Sequence, residues 1–115
     1  MAEYIIYCVI RCLIALIMIG IGMSQLKSRK PVGFYTGVKP PEEKELRDVK
    51  IWNRKHGIMW ILYGCAIIGG GLVRMIVSMF GGDNVFLTIA ELVVVIGGIF
   101  VMMWYHTRLE RLYRL

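Results

Sequence analysis

Three apolar runs fill most of the chain: Tyr4 to about Ser24, Gly57 to about Phe80, and Val85 to about Tyr105. Each is close to the ~20 residues that a helix needs to cross a ~30 Å hydrocarbon core. Lipid offers no partners to backbone amides, so a spanning segment must be a helix or part of a closed barrel. A barrel would read as many short alternating segments, which are not seen here. Composition agrees, since 57% of the 115 residues are hydrophobic and 19% charged, against ~45–50% apolar in ordinary soluble domains. The expectation is an all-α integral membrane bundle of three transmembrane helices, with residues 1–115 forming a single membrane domain. The opening Met-Ala-Glu lacks the basic leader of a secretory signal, so the first span is expected to stay in the mature protein.

The formal charge of +6 is unevenly placed. The loop over 25–56 holds Lys27, Arg29, Lys30, Lys39, Lys44, Arg47, Lys50, Arg54 and Lys55, and the tail over 106–115 adds Arg108, Arg111 and Arg114. The amino-terminal stub and the Gly81–Asn84 turn carry none. Lys and Arg collect on the cytoplasmic side of membrane proteins, so the amino terminus is expected outside, with the long loop and carboxyl terminus inside a plasma membrane. Basic residues beside spans meet anionic lipid headgroups, making membrane lipids the expected partners and nucleic acid an unexpected one. The four-residue turn forces the second and third spans into an antiparallel hairpin. Cys8 and Cys12 sit one helical turn apart, a poor geometry for a disulfide, and Cys65 lies in another span.

Within the inner loop, Pro31 to Gly37 reads as an extended or turning segment. Pro40-Pro41 and the acids Glu42, Glu43 and Glu45 resemble a helix start. Leu46, Val49 and Trp52 or Asn53 then recur near helical spacing, which predicts a short amphipathic helix from Pro41 to about Lys55 with Glu43 and Arg47 paired. A bend near Gly57 would lead into the second span. Trp52, Trp60 and Tyr35 are expected at headgroup level.

Arg11, Arg74 and Glu91 lie inside the apolar runs, six or seven residues from the outer boundary, or ~9–11 Å at helical rise. A charge at that depth costs several kcal/mol unless paired, so opposite signs at one level should meet across the bundle. Small and polar residues share their helix faces: Tyr4, Cys8, Ala15 and Gly22; Trp60, Tyr63, Gly64, Gly70, Gly71 and Ser78; Thr88, Gly98 and Tyr105. Such stripes mark packed faces in lipid. Two arginines against one glutamate leave a surplus positive charge, and Arg11, Arg74, Glu91 and Thr88 become a candidate binding site for a carboxylate or phosphate. The plainer alternative is one structural Arg–Glu pair, with the other arginine reaching up to headgroups.

His56 and His106, with Asp48 or Glu110, suggest a proton or metal site but lack ligand spacing, so no metal is assigned. Cys8, Cys12 and the methionines are compatible with soft copper ligation but fit ordinary packing better. Gly69-Gly70-Gly71 lies inside a span with no preceding strand, which excludes a phosphate loop. No cofactor is expected.

Lys30-Pro-Val-Gly-Phe-Tyr-Thr-Gly37, followed by Trp52-Asn-Arg-Lys-His-Gly57 at the mouth of a span, resembles the SdpI-like group of small bacterial multi-span membrane proteins. The similarity covers roughly Lys30 to Gly64. It implies a role in immunity to, or signalling by, a secreted peptide, and marks Gly33, Thr36, Trp52 and Asn53 as a structural signature of the loop. Longer members of that group have more than three spans. The expected function is non-enzymatic: a small membrane protein that binds or senses a peptide, lipid or partner membrane protein, with homo-oligomerisation through its glycine-rich faces. The alternative is a protomer of an oligomeric transporter or channel with Arg11, Arg74 and Glu91 in its path. A lipid-headgroup enzyme using His56 and Asp48 ranks last, because no nucleophile converges there.

Overall fold

The computed structural model describes residues 2–34, 39–82 and 84–115, with side chains from Ile5 onward. It contains three α-helices, α1 (Ala2–Lys27), α2 (Val49–Met79) and α3 (Val85–Tyr113), and one 3-10 turn at Glu43–Glu45. All three helices are long and apolar enough to cross a membrane. The fold is the expected all-α bundle of a multi-pass membrane protein, 55 Å along its longest axis.

The 31 residues of α2 and 29 of α3 make rods of about 46 and 43 Å at helical rise. Both exceed a ~30 Å core. Their surplus turns lie at one end, beside the loop and the carboxyl tail, here called the basic end. At the other, hairpin end, Gly81 takes a φ of 75° that a residue with a Cβ adopts only under strain. Asn84 then caps α3, its side-chain oxygen accepting from the amides of Phe86 (3.0 Å) and Leu87 (3.3 Å).

The separate amphipathic helix expected over Pro41 to Lys55 does not form. Asp48 is extended and caps α2, accepting from the Ile51 amide at 3.1 Å. From Val49 the helix runs unbroken through Gly57. Upstream, Leu46 is extended because it packs with Trp52 and Leu109 in a small core. Glu43 therefore does not sit one helical turn from Arg47. Glu45 instead reaches Arg114 of the tail at 2.9 Å.

α1 and α2 pack through small residues. A Cβ added at Gly57 would lie 2.7 Å from the Gly22 carbonyl oxygen, and one at Gly64 would lie 2.9 Å from that of Ala15. Gly71, seven residues further, receives the Arg11 side chain. A repeat of seven keeps one seam of a helix facing an antiparallel neighbour, and small side chains on it let the backbones close.

α3 is held differently, by long side chains of α2. Tyr63 lies against Gly98, where a Cβ would fall 2.5 Å from its ring, and its hydroxyl donates to the Val95 carbonyl at 2.8 Å. Arg74 reaches Thr88 and Glu91 near the hairpin, and His56 reaches His106 at the basic end. Helices propped apart by large residues leave grooves between them.

At the basic end the loop folds onto α2. Trp52 donates its indole N–H to the Val32 carbonyl and Trp60 to that of Phe34, both at 2.8 Å. Asn53 accepts from the Val32 amide (3.0 Å) and donates to the carbonyls of Ser28 (3.1 Å) and Lys30 (2.8 Å). Trp52 and Trp60 are thus buried beneath the loop; Tyr35 lies outside the described residues. The tail completes this cap, with the Arg47 amide donating to the Tyr113 carbonyl (2.8 Å) and the Leu115 amide to that of Glu45 (2.7 Å).

Candidate functional site

Arg11, Arg74, Glu91 and Thr88 meet near the hairpin end, from three different helices. Glu91 Oε1 accepts from Arg11 Nη1 at 2.7 Å, and Oε2 accepts from Arg74 Nη1 at 2.8 Å. Arg74 Nη2 donates to the Thr88 hydroxyl at 2.7 Å, and Arg11 Nε to the Ile67 carbonyl at 2.7 Å. The side chains of Arg11, Arg74 and Glu91 are 14, 19 and 14% exposed. Glu91 engages both arginines, so the arrangement is not a single pair with one arginine turned to the headgroups.

Tyr7 belongs to the cluster and was absent from the sequence-derived set. Its hydroxyl donates to Glu91 Oε2 and accepts from Arg11 Nη1, each at 2.7 Å. Its ring lies 5.9 Å from both guanidinium carbons, within cation–π range. The available signal was its position four residues before Arg11, one helical turn away.

The Tyr63–Gly98 contact borders two grooves between α2 and α3. The one toward the hairpin has a volume of about 320 Å³ and is lined by Arg11, Gly70, Arg74 and Glu91 among apolar residues. Arg11 Nη2 lies beside Gly70, where a Cβ would come within 2.7 Å. Among the described residues this nitrogen has no acceptor, while Nε and Nη1 are both used.

At the basic end His56, fully buried, sits with Nε2 2.7 Å from His106 Nδ1. His56 Nδ1 faces the Trp52 carbonyl at 2.9 Å. A carbonyl oxygen only accepts, so Nδ1 carries the hydrogen and a neutral His56 presents Nε2 as acceptor. His106 then donates from Nδ1, leaving its Nε2 3.4 Å from Glu110 Oε1. Glu110 is the carboxylate partner, whereas Asp48 is spent on the α2 cap. Among the described residues no three His, Cys, Asp or Glu side chains gather to hold a metal. Cys8, Cys12 and Cys65 are free thiols.

The loop signature is structural in its described members. Asn53 and Trp52 hold the loop as above, and the Gly33 carbonyl accepts from Gln25 Nε2 at 3.2 Å. Thr36 lies outside the described residues. Outside the helices, the Glu45 carboxyl is held below the usual carboxylate range, first by its hydrogen bond to Arg114.

Compared with protein families, curated proteins and solved structures, the chain matches none.

Proposed function

We propose that this chain is a non-enzymatic plasma-membrane protein that binds a peptide or partner helix through the cluster of Tyr7, Arg11, Arg74, Thr88 and Glu91. Its amino terminus and hairpin would face outside, its basic end the cytoplasm. The observation that carries the reading is Arg11 Nη2, a guanidinium donor without an acceptor among the described residues, bordering a groove that also holds the cluster. In a low-dielectric groove a guanidinium donor selects a carboxylate strongly, because charge-assisted hydrogen bonds are about twice as strong as neutral ones. Glu91, Tyr7 and Ile67 hold the other Arg11 nitrogens, so the free one is already oriented and little entropy is lost on binding. The resemblance to the SdpI-like group favours a secreted amphipathic peptide as ligand.

The test is peptide challenge of bacterial cells expressing the chain, using a panel of membrane-active peptides with free carboxyl termini. Wild type is expected to raise tolerance to at least one peptide, and Arg11→Gln, expressed to the same level, to abolish the gain. Equal tolerance with and without the chain across the panel overturns the reading. Ion or solute flux from dye-loaded liposomes containing the protein would replace it with the transporter alternative.

A further inference from the structure

The larger groove between α2 and α3 lies at the opposite end from the ion cluster and is independent of it. Its volume is about 690 Å³, within the ~300–1,000 Å³ of small-molecule sites. Ile58, Leu62 and Val101 supply an apolar wall, and Arg54 and Lys55 stand at its basic end. No Asp or Glu lines it among the described residues. Neither Arg54 nor Lys55 is in an ion pair among them; Lys55 Nζ rests 5.4 Å above the Tyr113 ring.

The groove has the length of one leaflet. From Ile51 to Tyr63 along α2 is twelve residues, or about 18 Å at helical rise, against ~15 Å for half of a ~30 Å core. It starts among cations where α2 and α3 overrun the hydrocarbon and is closed toward mid-bilayer by Tyr63 against Gly98. A second copy of this chain would share its orientation and bring its own Arg54 and Lys55 to the same level, so like charge would meet like charge. A lipid with a negative headgroup satisfies both ends.

We infer that this groove binds one anionic phospholipid from the leaflet at the basic end, its phosphate on Arg54 and Lys55 and an acyl chain along α2 and α3.

Native mass spectrometry of the purified protein, loaded with dioleoyl phosphatidylglycerol or dioleoyl phosphatidylcholine, tests this. Wild type is expected to retain one phosphatidylglycerol per chain with a preference of roughly thirtyfold, the scale expected of two basic residues at an anionic headgroup. Arg54→Gln with Lys55→Gln should reduce the two lipids to parity. Val101→Trp, at an exposed position, should fill the groove and remove both adducts while helical circular dichroism is unchanged. Equal retention of the two lipids by wild type overturns the inference whatever the variants do. So does phosphatidylglycerol persisting in folded Val101→Trp, or a wild-type dimer that this substitution dissolves, since the last would make the groove an interface between copies.

Discussion

Removing one acceptor from the hairpin-end cluster strands several donors, because Glu91 receives Arg11, Arg74 and Tyr7 on two oxygens. Glu91→Gln keeps the shape but removes the charge that compensates two guanidinium groups. A loss of about 3 kcal/mol is expected, as for other broken buried pairs. Arg11→Gln in the same background should recover part of it, since the guanidinium that Glu91 paired at 2.7 Å is then gone as well. Thermal unfolding in detergent measures both, and unchanged melting of all variants would show that the cluster does not hold the helices. The sequence displayed this cluster's charged members plainly, because ionisable residues in apolar runs are conspicuous. Tyr7 was not legible in the same way: an aromatic near a membrane boundary has an ordinary interfacial explanation, and only its reach to Glu91 on α3 reveals the other.

At the scale of elements, the glycines divide by what stands opposite them. Gly57 and Gly64 face α1 backbone oxygens, whereas nothing lies within 4 Å of a Cβ at Gly20 or Gly69. Gly57→Ala and Gly64→Ala should each destabilise by roughly 1–3 kcal/mol, because a backbone oxygen cannot step aside. Gly20→Ala and Gly69→Ala should be neutral or stabilising by up to about 1 kcal/mol, since alanine restricts the unfolded chain more. Unfolding in a detergent–denaturant series separates the pairs, and equal effects at all four would contradict the α1–α2 seam. The spans themselves were readable from hydropathy, but the start of α2 was not. Apolar spacing over Leu46, Val49 and Trp52 fits a helix, yet Leu46 is recruited in extended form by Leu109 near the far end of the chain. Asp48, a standard cap residue, was the local signal for the true start.

For the whole molecule, the ends differ in charge and in how the chain is tied. If the basic end is cytoplasmic, a cysteine placed at Asn84 should react with a membrane-impermeant maleimide on intact cells, while one placed at Leu115 should react only after permeabilisation. The reverse pattern would invert the proposed topology. The Glu45–Arg114 bond joins loop to tail and should respond to acid. Glu45 has a folded pKa below its ordinary 4.5, so the bond's contribution is present above pH 4.5 and is lost as pH falls through the lower folded value. Amide exchange at Arg47 and Leu115, corrected for intrinsic rates, should show this acid step in wild type and lack it in Glu45→Gln. An identical profile in the two would remove the carboxylate from the cap.

Hydropathy and charge placement determined that there are three helices, that the last two form a hairpin, and that Arg11, Arg74 and Glu91 share a level, because the energetic demand of lipid on every buried polar group is written directly into residue order. Tertiary structure alone decided what Trp52, Trp60 and Asn53 hold, that His56 meets His106, and where α2 and α3 stand apart. Those outcomes depend on which long side chain lands opposite which small one across two different helices, and that pairing has no period within either.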